Sequence, residues 1–176
     1  MKRTFPLWQA LGFGITTLLG TILHFLYDWT GENFLIAPFA AVNESTWEHM
    51  KLLFWPMLIF SVAESFFRRG RSDFWCIKAR GIMLGLVAIP ILFYTYNGVI
   101  GKSPDWVNIG IFFLSAAIAF LYQSVLLKKE STTCFRPWIA IAVLLSIGAM
   151  FVVFTFYTPP LAIFKDPLTG KYGIPK

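Results

Sequence analysis

Charged side chains are scarce in this sequence. Asp, Glu, Lys and Arg make up 14% of the 176 residues, whereas 57% are hydrophobic, and the mean hydropathy is +0.65. A soluble domain of this length cannot cover so much apolar surface, but the hydrocarbon of a bilayer can solvate it. The composition therefore excludes an ordinary soluble protein and predicts one compact all-α membrane domain, whose main partner is the lipid bilayer.

Cysteine and histidine are also rare, with two residues of each. Two cysteines are too few for the disulfide framework that stabilises small secreted domains. The net charge of +6 comes from basic residues in short clusters between apolar runs. This pattern is typical of membrane loops rather than of a nucleic-acid surface, so we expect no nucleic-acid partner.

Five apolar runs are long enough to cross about 30 Å of hydrocarbon at about 1.5 Å per residue. The predicted helices cover approximately residues 7–27, 46–67, 77–100, 105–127 and 137–157, so that 1–157 forms a five-helix transmembrane domain. Residues 34–42 are apolar but short and contain Pro38, which favours an interfacial or re-entrant segment between helices 1 and 2. Residues 158–176 contain four prolines and form a tail that cannot span.

The basic residues predict how the helices are oriented. With the N-terminus inside the cell, ten of them fall on the inner side and five on the outer side, as the positive-inside rule requires. The prediction is therefore N-in and C-out in the cytoplasmic (inner) membrane, with an extracytoplasmic tail and with both cysteines as free thiols in a reducing cytoplasm. The inner set is Lys2, Arg3, Arg68, Arg69, Arg71, Lys78, Arg80, Lys128, Lys129 and Arg136, and the outer set is Lys51, Lys102, Lys165, Lys171 and Lys176.

A candidate polar site involves the end of helix 1 and the start of helix 2. His24 and Asp28 end the first helix, and Glu44, Glu48 and His49 surround the start of the second. An antiparallel pairing of these helices brings all five to one depth. Imidazole with carboxylate is a ligand set suited to zinc or another divalent metal. We therefore predict His24, Asp28 and His49 as metal ligands, with Glu44 or Glu48 as a catalytic base.

The first helix carries small residues on the same face as this site. Gly12, Thr16, Gly20, His24 and Asp28 follow one another at four-residue steps. Small residues at this spacing allow a neighbouring helix to approach closely in lipid. The pattern predicts that His24 and Asp28 point into the bundle, as ionisable groups in membranes usually do.

Ordinary helix chemistry offers alternative interpretations of the same residues. Ser45 and Glu48 have the spacing of a capping box, and His24 can hydrogen-bond Asp28 one turn away. Pairing with Arg68 explains Glu64, the lone acidic residue inside helix 2, better than a proton relay does. Asp105 has the position of a cap for helix 4.

Two segments resemble a known family. Residues 42–51, VNESTWEHMK, are similar to a VNESxWEHxK signature, and residues 166–173, DPLTGKYG, are similar to the ending of the same family. These small prokaryotic five-helix membrane proteins have no known function. The resemblance implies a bacterial or archaeal inner membrane and supplies no activity.

The sequence leaves three functions open, and with them the question of whether the protein is an enzyme. The first is a membrane-embedded hydrolase with a divalent, zinc-like metal at the outer face, acting on a lipid or small amphiphile. The alternatives are a small-solute or ion transporter and a membrane assembly or partner protein. A homo-oligomer is compatible with each of them.

Overall fold

The protein is a bundle of long α-helices. The computed structural model describes residues 4–68, 70–134 and 136–174, and these ranges contain five α-helices and no β-strand. The helices are α1 (Thr4–Trp29), α2 (Thr46–Phe67), α3 (Phe74–Val99), α4 (Asp105–Lys128) and α5 (Pro137–Phe156), followed by a 3-10 turn at Ala162–Phe164. All five are long and apolar enough to cross a membrane. The prediction of an all-α, five-helix membrane fold is confirmed.

The helices α2 and α3 are the most buried of the bundle, and α2 carries much of the core. Helix α2 packs against α1 and α3, while α4 packs against α1 and α3, and α5 packs mainly against α3. The core contains Leu53 and Phe54 of α2 and Ile82 of α3, all with no exposed surface. Gly12 and Gly20 allow close approach of α1, because a Cβ atom added at either would lie 2.5 Å from a neighbouring phenyl ring. The close packing predicted for these small residues is therefore present.

The four-residue stripe of α1 does not stay on one face. Each step of four residues rotates by about 40° around a helix of 3.6 residues per turn. Gly20 packs against Phe112 and the backbone of Leu52, and His24 is partly buried, but Asp28 is exposed. The prediction that Asp28 points into the bundle is therefore wrong.

The segment between α1 and α2 runs along the bundle as a series of turns. The carbonyl of Ala37 accepts a hydrogen bond of 2.8 Å from Lys51 Nζ, and that of Pro38 accepts one of 3.0 Å from Trp55 Nε1. Trp55 lies nine residues into α2, about 13 Å along its axis. Irregular backbone is stable at such depth because protein side chains satisfy its carbonyl groups.

The tail folds back over the end of the bundle where α1 ends and α2 begins. Phe164 is buried against Trp47, with 4.7 Å between their ring centroids, and against Phe154. The carbonyl of Gly173 accepts a hydrogen bond of 2.8 Å from Asn43 Nδ2. The tail thus packs on the candidate site.

The prediction that both cysteines are free thiols is wrong. Cys76 and Cys134 form a disulfide with 5.8 Å between their Cα atoms. It joins the start of α3 to the loop between α4 and α5, which lie at the same end of the bundle. The prediction depended on placing this end in a reducing cytoplasm. The orientation itself stays a prediction, and Lys2, Arg3, Arg69 and Lys176, on which it partly rests, lie outside the described residues.

Arg71 connects the loop between α2 and α3 to the loop that follows α4. Its guanidinium binds the Asp73 carboxylate at 2.7 Å and donates to the carbonyls of Leu127 and Lys129 at the end of α4. Asp73 also accepts hydrogen bonds from the backbone and hydroxyl of Thr132. These contacts satisfy carbonyl groups that the end of a helix leaves unpaired.

The Asp73 carboxylate makes stability at this end sensitive to acid. Burial alone would raise its pKa, but the hydrogen bonds from Arg71 and Thr132 outweigh burial and hold the pKa below its ordinary value. The folded state therefore gains stability above the unfolded pKa of about 3.9 and loses it as the pH falls through the lower, folded pKa. Asp73→Asn is expected to flatten the acid limb of a pH series of unfolding midpoints. Glu130→Gln, at an exposed position of the loop between α4 and α5, is the control and should leave the limb unchanged.

Candidate functional site

Two histidines and one glutamate converge at the end of the bundle beneath the tail. His24 Nε2 lies 3.6 Å from Glu44 Oε1, and His49 Nε2 lies 3.5 Å from Glu44 Oε2. The two imidazole rings are 5.5 Å apart between centroids. One ligand atom from each residue lies within 4.8 Å of the other two, a separation that allows all three to bind one metal ion. We call His24, Glu44 and His49 the histidine cluster.

The start of α2 fixes the orientation of His49. Ser45 is the N-cap and its hydroxyl accepts the backbone N–H of Glu48 at 3.4 Å. The His49 Nδ1 atom lies 3.0 Å from the carbonyl of Ser45, which can only accept a hydrogen bond. In the neutral ring Nδ1 therefore carries the proton, and Nε2 presents a lone pair towards Glu44. Histidine ligands of metals are commonly held by such a bond from their other ring nitrogen.

The separations within the histidine cluster are longer than direct hydrogen bonds. Separations of 3.5 and 3.6 Å exceed the usual length of an N–H···O hydrogen bond. Ligand atoms about 2.0–2.1 Å from a tetrahedral zinc ion lie about 3.3 Å from one another. His24 Nδ1 is buried and has no hydrogen-bond partner among the described residues. The residue types of the cluster, two imidazoles and one carboxylate, are ones that bind divalent metals in proteins.

A cavity of about 370 Å³ opens beside the histidine cluster. Its walls are mainly apolar and come from α1, α4 and the tail, with Phe25, Phe112 and Leu168 among them. Asp105 and Asn108 of α4 add polar groups. An apolar cavity with a few polar groups beside a possible metal site is typical of small-molecule binding sites.

The structure does not bring all the predicted site residues together. The predicted ligands His24 and His49 are in the cluster, but Asp28 is exposed and outside it. Glu44, predicted as a base, takes the place of Asp28 as the carboxylate of the cluster. The alternative of a His24–Asp28 hydrogen bond is not present among the described contacts.

Glu48, the other predicted base, is engaged in a buried ion pair. Its Oε2 atom lies 2.6 Å from Lys51 Nζ and accepts the backbone N–H of Val42 at 3.0 Å. Lys51 also donates to Thr155 of α5 at 3.0 Å. The pair therefore ties α2 to α5 and to the segment that carries Glu44. Half of the capping-box interpretation holds, because Ser45 caps the helix while the Glu48 carboxylate turns to Lys51.

Asp105 lines the cavity, although the sequence interpretation gave it only a role as a helix cap. It was expected to cap α4, but Pro104 is the N-cap and makes no side-chain bond. The Asp105 carboxylate lines the cavity without a hydrogen bond or ion pair to the described residues. The order of the helices places Asp105 at the same end of the bundle as His24, so the sequence could have indicated that Asp105 lies near the histidines.

Comparison with known proteins assigns the chain to a family. The model of a family of unknown function, DUF6512, matches residues 2–174. The chain belongs to this family. No curated protein and no solved structure matches it. Membership in DUF6512 confirms the resemblance to a family of unknown function over nearly the whole chain, while the prokaryotic origin and the signature motif stay expectations.

This DUF6512 chain has a second polar group near the opposite end of α2. Glu64 has no exposed surface and lies 2.5 Å from Lys78 Nζ and 3.3 Å from Arg68 Nε. Gln9 donates to the same carboxylate, and Lys78 donates to Gln123 at 2.8 Å. The predicted pairing of Glu64 with Arg68 is confirmed. Lys78, predicted as an inner-side basic residue, is fully buried and joins α3 to this group.

Proposed function

We propose that the protein is a membrane-embedded, metal-dependent hydrolase whose substrate is a lipid or small amphiphile. The observation that carries this proposal is the convergence of His24, Glu44 and His49 beside an apolar cavity. Two histidines and one carboxylate form a common ligand set of catalytic zinc, in which a fourth position is left for water or substrate. A zinc ion held there would activate water and polarise an ester or phosphoryl oxygen.

Residues around the cavity supply the remaining roles in this proposal. Asp105, whose carboxylate is not engaged by another described group, accepts the proton released when water attacks. Phe112 and Leu168 receive the apolar part of the substrate. Glu48 acts as a positioning residue through Lys51, because its carboxylate is already paired.

The packing of α2 weighs against the transporter alternative for a single copy. Phe54, Met57 and Phe60 lie between the histidine cluster and the Glu64 group, and each is at most 5% exposed. A solute path along this helix would have to displace these side chains from a close-packed core.

The proposal predicts a zinc-dependent hydrolytic activity. Protein purified in detergent is expected to contain about one zinc ion per chain by elemental analysis. It should cleave a fluorogenic fatty-acyl ester or phosphodiester amphiphile, lose this activity to a chelator and regain it when zinc is restored. Asp105→Asn should keep the zinc and lower turnover by about 100-fold or more. Protein that binds no divalent metal after exposure to zinc would overturn the proposal, and so would equal turnover with and without the metal.

A further inference from the structure

A second, larger cavity lies far from the histidine cluster, at the end of the bundle where α3 and α5 begin. It is an open groove of about 670 Å³ between these helices, closed on one side by Tyr122 of α4. Arg80 and Arg136 line it together with an apolar wall formed by Met83, Leu84, Val87, Ile139, Ala140 and Val143. The groove thus combines two positive charges with a long apolar surface.

The two helices contribute matching stripes to this groove. On α3 the lining residues follow Arg80 at positions three, four and seven further on, and on α5 they follow Arg136 at the same intervals. This spacing places each set on one face of its helix. Because both helices start at this end, the two guanidinium groups lie at the head of the groove. The apolar stripes extend about 10 Å from them towards the membrane interior.

Three contacts attach the segment before Arg136 to the start of α3. The disulfide between Cys76 and Cys134 attaches the preceding loop to α3, and Arg80 donates a hydrogen bond to the carbonyl of Thr133. Thr132 is bound to Asp73. The head of the groove is therefore formed by the folded protein before any ligand binds, which lowers the entropic cost of binding.

We propose that this groove binds one anionic phospholipid, with its phosphate between Arg80 and Arg136 and an acyl chain along α3 and α5. Guanidinium groups bind phosphate oxygens through paired hydrogen bonds. Basic pockets between transmembrane helices are suited to anionic head groups, since the apolar wall replaces the lipid's own hydrocarbon neighbours. Charge complementarity at the head and apolar surface below it match an amphiphile rather than a free anion.

The proposal predicts selective lipid binding that depends on the two arginines. Delipidated full-length protein in detergent is titrated with phosphatidylglycerol, or with phosphatidylcholine of the same chains, and bound lipid is counted by native mass spectrometry. We expect one phosphatidylglycerol per chain in preference to phosphatidylcholine. Arg80→Gln/Arg136→Gln should weaken this binding by at least about fivefold. Lys128→Gln/Lys129→Gln removes the same charge from exposed positions outside the groove. This control should change the affinity for phosphatidylglycerol by less than about twofold.

Several results would overturn this assignment. They are equal binding of the two lipids, unchanged binding by the arginine variant, and equal loss in the lysine control. If circular dichroism shows that the arginine variant does not fold, Val143→Trp takes its place as the test of lipid binding, because this substitution fills the groove and keeps both arginines. Folded Val143→Trp that still binds phosphatidylglycerol like the wild type contradicts the proposal. A wild-type dimer that this substitution dissociates would instead assign the groove to a second copy of the chain.

Discussion

Replacing Glu64 with leucine is expected to lower the free energy of unfolding by about 3–5 kcal/mol. The substitution leaves the Lys78 ammonium group buried with the amide oxygens of Gln123 and Gln9 as its hydrogen-bond acceptors. Neither carries a negative charge, so the cost of removing the lysine charge from water is no longer offset. The loss is measured as a shift of the thermal or denaturant unfolding midpoint in detergent.

The double variant Glu64→Leu/Lys78→Met tests whether the loss of stability comes from the unpaired charge of Lys78. Apolar replacement of both partners of a buried pair is often neutral or stabilising, so part of the lost stability should return, while the contacts of Arg68 and Gln9 with the carboxylate stay lost. Glu130→Leu, an exposed acidic residue near the same end of the bundle, is the matched control and should stay within about 0.5 kcal/mol of the wild type. A double variant no more stable than Glu64→Leu would contradict this account.

Replacing His49 with alanine is expected to lower zinc affinity by at least about 100-fold. Loss of a residue that merely orients a metal ligand already costs about 10–100-fold in affinity, and removal of a ligand should cost more. Competition with a chromophoric chelator measures the affinity, and His24→Ala and Glu44→Ala should behave alike. This result follows from the position of all three residues within one group of ligand atoms.

Asp28→Ala provides the matched control for the ligand variants. Asp28 is another polar residue of α1, one turn beyond His24, but it is exposed and outside the histidine cluster. Its removal should leave zinc affinity unchanged. If Asp28→Ala lowers the affinity as much as His49→Ala does, the ligand set proposed from the structure is wrong and the set predicted from the sequence is right.

The sequence predicted the helices well because their signal is strong and local. Each span must satisfy its backbone internally and present apolar side chains to lipid, so long hydrophobic runs identify the helices. The ends differ by at most three residues, at the start of α1, which begins at Thr4 rather than near residue 7, and of α3, which begins at Phe74 rather than near residue 77. The run of apolar residues does not reveal that Lys78 can be buried, because its partner Glu64 comes from another helix.

The candidate site was predicted less completely because it depends on loops. Helix pairing was enough to bring His24 and His49 to one depth, but the carboxylate between them comes from Glu44, before the helix starts. Its placement depends on the Glu48–Lys51 pair and on the bond from Asn43 to the tail. The three-residue spacing of Glu48 and Lys51 was visible in the sequence and could have indicated that Glu48 was already engaged.

The folded tail has a consequence for the order of events during synthesis. Leu168 completes the wall of the cavity beside His24, although about 140 residues separate them along the chain. A ribosome adding about 5–20 residues per second needs on the order of ten seconds between these two positions. The wall that Leu168 forms is therefore the last part of the cavity to be synthesised.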